Sequence, residues 1–118
     1  MTQIHAKRAY DPYSPDDGFR VLVDRLWPRG IKNEDLNCDL WKKEFAPTNS
    51  LRKWFHEDKI TRWNKFRSLY LAELKEAGGI TDFVNELRKH EVVTLIYAAK
   101  DELHNHVIIL APFLQKML

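Results

Sequence analysis

The chain has 118 residues, 44% of them hydrophobic and 31% charged, a size and balance that can bury one core without staples. Its formal net charge of +2 gives only weak long-range attraction toward nucleic acid or an anionic membrane. One cysteine, Cys38, excludes an intrachain disulfide and an all-cysteine metal site within the chain. The opening Met1-Thr-Gln-Ile-His-Ala-Lys7 has no apolar core of a secretory leader, and the apolar run Val107 to Leu110 is far too short to cross a bilayer. The expectation is a cytoplasmic protein with no membrane partner, folded as a single α/β domain over residues 1–118.

Taken in order, Ile4 to Tyr10 alternates loosely and fits a short strand, of the kind found at a sheet edge. Residues 11–18 are dense in turn formers, and Pro12 and Pro15 exclude a helix there. Phe19 to Arg25 follows as a strand whose β-branched run, Val21-Leu22-Val23, stops abruptly at Asp24 and Arg25. Pro28 pushes Trp27 toward an extended conformation and Gly30 permits a positive φ, so a sharp turn is predicted at Trp27-Pro28-Arg29-Gly30.

Residues 33–47 fit two readings. Leu36, Leu40, Trp41 and Phe45 approximate a helical stripe, while Cys38 to Pro47 is equally compatible with a strand running into a loop. Beyond them the periodicity is clearer. Thr48, Asn49 or Ser50 caps a helix through Leu51 to Phe55, and a second helix, roughly Thr61 to Ala77, carries Trp63, Phe66, Tyr70 and Leu74 on one face. Gly78-Gly79 ends it. A third helix spans about Thr81 to His90. Val92 to Ala98 then reads as a strand buried on both faces, and Leu103 to Leu118 as a helix kinked or restarted at Pro112. Strands alternating with helices predict a small, mostly parallel sheet of three to four strands with helices packed on it.

Two strands of this set end in charge. If they lie parallel, Asp24, Arg25 and Arg29 meet Lys100, Asp101, Asn105 and His106 at one carboxyl edge, where open α/β sheets hold their ligands. Arginine clamps carboxylate or phosphate through paired N–H donors, so the expected ligand is an anionic small molecule: a phosphate, nucleotide or carboxylate. In this reading Arg25, Arg29, Lys100 and Asn105 bind, while Asp24, Asp101 and His106 move protons. Each residue also has a plain structural reading. Asp24 can pair with an arginine to fix the turn, Asp101 can cap the last helix, and His106 can be a core or capping histidine. Taken singly the structural roles are favoured; convergence of both clusters favours a site. His104 and His106 point to different helix faces and lack a third ligand, so no metal is expected. No cofactor is indicated.

A rival reading lies in residues 52–67. Arg52, Lys53, Lys59, Arg62, Lys65 and Arg67 alternate with Trp54, Phe55, Trp63 and Phe66, as in modules that track a nucleic-acid backbone and stack its bases. Two amphipathic helices with aromatics inward account for the same pattern, and Trp63, Phe66 and Tyr70 on one stripe favour that simpler account.

Arg20-Val-Leu-Val-Asp-Arg-Leu-Trp-Pro-Arg-Gly-Ile31, Trp41 with Glu44-Phe-Ala-Pro-Thr48, Leu51-Arg-Lys-Trp-Phe55, and Thr94-Leu-Ile-Tyr-Ala-Ala-Lys-Asp101 with Asn105-His106 resemble the YeaO-like branch of a family built on domain of unknown function 488. The resemblance covers nearly the whole chain and carries no activity over to it. It implies that residues 37–45 lean toward strand, giving a sheet of about four strands. Longer members of the family carry a Cys-His-Arg triplet at the start of the last helix. Here Asn105, His106 and Val107 occupy those positions, so thiol chemistry is not available there.

Overall fold

Val92–Tyr97 (β4) is the strand around which the others are placed. In the computed structural model, which describes residues 1–118, it lies between Gln3–Arg8 (β1) and Phe19–Leu22 (β2), with Leu40–Trp41 (β3) outside β2. All pairings are parallel: Ile4 faces Val93, Val21 faces Leu95, and Leu22 faces Trp41. The sheet has four strands in the order β1-β4-β2-β3, an α/β fold with β1 at an edge as expected. Successive side chains leave opposite faces of a strand. On one face Val21, Val23, Val93, Leu95 and Tyr97 join the main core; on the other Leu22 and Ile96 pack with Ala9 and Leu36. That two-sided burial is why β4 is an unbroken apolar run.

The helices gather mainly over the first face. Asn33–Leu36 (α1) is a single turn under the second. Asn49–Glu57 (α2) is capped by Thr48, whose hydroxyl accepts the Leu51 N–H, and Lys59–Glu76 (α3) by Asp58. Phe66, Tyr70 and Leu74 of α3 are buried at helical spacing. Ile80–Leu87 (α4) contributes Phe83, Val84 and Leu87, and Val107–Met117 (α5) contributes Val107, Ile109, Leu110 and Leu114.

Several boundaries move. Residues 33–47 resolve into both readings at once: the turn of α1, the two-residue β3, and a 3-10 turn over Lys43–Phe45. β2 ends at Leu22 rather than Arg25. Past Val23, whose N–H still reaches the Ile96 carbonyl at 3.1 Å, the Ala98 N–H is taken by the Asp24 carboxylate at 2.9 Å instead of by a backbone carbonyl. A side chain finishes the ladder, so the backbone is free to turn away. Gly30, at φ 81°, completes that turn. The last helix begins at Val107, four residues later than Leu103, because Asp101 and Asn105 commit residues 101–106 to capped turns. Pro112 does not break α5. Proline removes one N–H, whose partner would be the Ile108 carbonyl, and both residues lie on the exposed side where water can replace it.

Candidate functional site

Because β2 and β4 are parallel, their carboxyl ends open on one edge, and a cleft of about 290 Å³ lies there. Its walls come from residues 24–29 after β2, from Ala46-Pro47, from α2 and α3, and from Ala98-Ala99 and 104–106 after β4.

The expected meeting of Asp24 and His106 takes place. His106 Nε2 lies 2.9 Å from the Val23 carbonyl and 3.5 Å from Asp24 Oδ1, while Asp24 Oδ2 accepts the Ala98 N–H. The imidazole and the Tyr70 ring meet in a T-shaped contact, and the Tyr70 hydroxyl donates a hydrogen bond to the Phe45 carbonyl, tying α3 to the loop beside the cleft. Burial pushes Asp24 above the ordinary carboxylate value, against the lowering influence of His106, the Ala98 N–H and Arg52. Burial likewise pushes His106 below 6.5, against the raising influence of Asp24 and the Val23 carbonyl. His56 is lowered by burial and by the cations Lys59 and Arg52.

The arginines divide. Arg25 reaches the cleft but donates from Nε to the Pro47 carbonyl at 3.0 Å and from Nη2 to the Ala46 carbonyl at 3.1 Å. It holds the wall in place, with part of its fork spent on backbone. Arg29 is exposed at the rim, where its carbonyl accepts the Tyr10 hydroxyl at 3.0 Å.

The other expected residues sit differently. Lys100 is exposed and outside the cleft. Asp101 does not line it either: its carboxylate accepts the Leu103 and His104 N–H groups at 2.9 and 3.0 Å and pairs with His104 Nδ1 at 3.2 Å. The Leu103 N–H, over the opposing effect of burial, and the His104 bonds hold its carboxyl below the usual range. Asn105 is buried and lines the cleft, yet its amide is engaged. Oδ1 accepts Val107 and Ile108 N–H groups and Nδ2 donates to the Asp101 carbonyl. The amino end of α5 is therefore closed by its own chain rather than offered to an anion. The structure thus places Lys100 in solvent and Asp101 in a turn cap, both outside the lining of the cleft. Val107 is fully buried in the core.

Three residues of the cleft were assigned by sequence only to the rival basic-aromatic stretch or to no role: Arg52, His56 and Lys59. Arg52 Nε is buried and has no hydrogen-bond partner, and its Nη2 makes only a 3.4 Å contact with Asn49. Arg52 and His56 are four apart, on one face of α2, beside the buried Leu51 and Phe55. That adjacency to an apolar stripe is the one signal that could have marked them, and it looks the same for a solvated helix flank.

The shifts of His106 and His56 give a signed pH dependence. A histidine whose folded value is lowered binds fewer protons in the native state, so stability rises with pH up to the unfolded value. Unfolding midpoints are expected to fall as pH drops below 6.5. Asp24, with its raised value, has the opposite slope in the range just above 3.8. Urea titrations at stepped pH, with imidazole resonances followed by NMR, check this; a flat profile from pH 7 to 5 contradicts it.

The fold and cleft together define a small parallel α/β protein with a cation-lined recess at the carboxyl ends of its sheet. The chain belongs to the family described as the inactive DUF488-N3 subclade, whose model matches residues 3–118. It is 44% identical over 114 residues to Uncharacterized protein YeaO of Escherichia coli (strain K12), covering 97% of this chain and 98% of that protein. Uncharacterized protein Rv3073c of Mycobacterium tuberculosis (strain H37Rv) and Uncharacterized protein Mb3100c of Mycobacterium bovis are each 36% identical over 113 residues, 96% of this chain and 94% of theirs. No solved structure matches the chain.

Proposed function

We propose that this protein binds an anionic small molecule, a phosphate, nucleotide or carboxylate, in the cleft at the carboxyl edge of its sheet, in the cytoplasm. The observation that carries the reading is the charge of the lining: Arg25, Arg29, Arg52 and Lys59 line the cleft against the single carboxylate of Asp24. Asp24 is itself engaged by Ala98 and His106, and the Arg52 Nε lacks a partner. The end of the Arg52 guanidinium, held within the chain only by a 3.4 Å contact from Nη2 to Asn49, is what an anion in the cleft would meet. The volume is at the lower end of the ~300–1,000 Å³ usual for ligand pockets, which favours a compact metabolite. Binding without turnover agrees with the description of the family as an inactive subclade. A single cysteine agrees with a reducing compartment.

The nucleic-acid reading of residues 52–67 has less behind it. Phe55 and Phe66 are in the core, and Arg62 is spent on Glu57 and the Trp54 carbonyl while lying over the Trp54 ring. No helix of the protein is long and apolar enough to cross a membrane.

A thermal-shift series with inorganic phosphate, nucleotides and small carboxylates tests the proposal. A ligand at a hundred times its dissociation constant is expected to raise the midpoint by roughly 11 °C. Arg52→Gln combined with Lys59→Gln is expected to remove most of that rise. No shift with any anion, or an equal shift in the double variant, overturns the reading. Arg25→Ala is the poorer test, because it also releases the Ala46 and Pro47 carbonyls.

A further inference from the structure

We infer, building on the anion reading above, that the ligand of this cleft also carries a hydroxyl group, which donates a hydrogen bond to His106 Nδ1. The ligand class is a hydroxylated anion: a hydroxycarboxylate or a polyol phosphate.

The inference begins with the proton on the imidazole. His106 Nε2 faces two acceptors, the Val23 carbonyl at 2.9 Å and Asp24 Oδ1 at 3.5 Å. Neither can supply a proton to it when Asp24 is ionised, so Nε2 must be the nitrogen that carries hydrogen. In a neutral imidazole protonated at Nε2, Nδ1 is an acceptor only. Burial favours that neutral form. His106 lines the cleft, and its only hydrogen-bond partner within the chain is the Val23 carbonyl, reached through Nε2.

The other polar groups of the wall narrow what can meet it. Asn105 is engaged in the turn before α5, and Asp24 is shared between Ala98 and His106. What the chain leaves weakly engaged is a donor group, the Arg52 guanidinium, whose Nη2 makes only a 3.4 Å contact with Asn49, and an acceptor, His106 Nδ1. A plain anion satisfies the first and leaves the second unmet. An anion with a nearby hydroxyl satisfies both, accepting from Arg52 and donating to His106. A site built to bond a hydroxyl discriminates strongly against the analogue that lacks it.

Paired titrations of the full chain separate this inference from the reading beneath it. Lactate is compared with propionate, and glycerol 1-phosphate with n-propyl phosphate, by calorimetry and by ¹⁵N NMR of the histidine side chains. In at least one pair the hydroxylated member is expected to bind tenfold or more tightly, and to move the His106 Nδ1 resonance where its partner does not. The pair that discriminates identifies the anion as carboxylate or phosphate. Equal or reversed affinities within both pairs overturn the hydroxyl inference and leave anion binding standing. Binding by none of the four overturns the hydroxyl inference, and the thermal-shift series with nucleotides and inorganic phosphate decides the anion reading. A free protein in which His106 carries its proton on Nδ1 overturns the inference without any ligand.

Discussion

Replacing Arg20 with methionine is expected to lower the unfolding free energy by about 3 kcal/mol, the low end for breaking a buried ion pair by removing one partner. Arg20 is only 1% exposed, the most deeply placed charge in the chain. Its guanidinium pairs with Asp17, donates to the Leu36 carbonyl at 2.8 Å, and lies over the Tyr13 ring. Methionine fills much of the same volume, yet it leaves the Leu36 carbonyl without its donor and Asp17 with fewer partners. The effect stays at the low end because Lys7 still reaches Asp17 at 3.1 Å and the Ser14 N–H still bonds it.

The acid side of the stability curve gives a second readout of the same substitution. Burial opposes ionisation of Asp17, but the Ser14 N–H, Lys7 and Arg20 together outweigh it and hold the carboxyl below 3.8. A depressed carboxylate contributes stability that is present above its unfolded value and lost as pH falls through its folded one. Arg20→Met is therefore expected to flatten the loss of stability below 3.8 as well as lower the whole curve. Urea unfolding at neutral and acid pH measures both. A variant as stable as wild type, with an unchanged acid limb, contradicts the assignment.

Gly18→Ala is expected to be comparably severe, about 3 kcal/mol, for a reason that involves no side chain of the wild type. Gly18 sits at φ 65° and ψ −131°, a conformation essentially restricted to glycine. A Cβ there would also fall well inside contact distance of the Val92 carbonyl oxygen and 2.9 Å from Val92 Cβ. Val92 begins β4, so neither side can yield without disturbing the central strand. Gly78→Ala is the internal control. Nothing lies within 4 Å of the Cβ it would add and its φ is not positive, so a change within about 0.5 kcal/mol is expected. If the two substitutions behave alike by urea unfolding, the close approach at Gly18 is not what limits that turn.

These two residues lie at the opposite end of the sheet from the cleft. Arg20 and Gly18 anchor the amino end of β2, and that strand delivers Asp24 to the site. A charged residue in the middle of an apolar run, Arg20 before Val21, thus serves the fold, while the charge after the run serves the cleft. Nothing in residue type separates the two. Asp17, placed in a proline-rich turn, is the partner that tells them apart, and only folding brings it beneath Arg20.

Much of the scaffold was legible because its causes are local. The β-branched runs of β2 and β4, the Thr48 cap and the Phe66, Tyr70, Leu74 stripe depend on side-chain period and on hydrogen bonds within a few residues. The parallel sheet follows from strands separated by helices, and with it the meeting of Asp24 and His106 at one edge. Tertiary structure alone decided which cations face that edge. Arg25 is turned onto the Ala46 and Pro47 carbonyls, Lys100 is left in solvent, and Arg52 is carried in on α2 with a free donor. Sequence determined which strands end in charge and that those ends are adjacent. The packing of α2 and α3 over the sheet determined which guanidinium is left without an acceptor, because a long side chain's partners depend on the backbone carbonyls folded beside it and not on its neighbours in the chain.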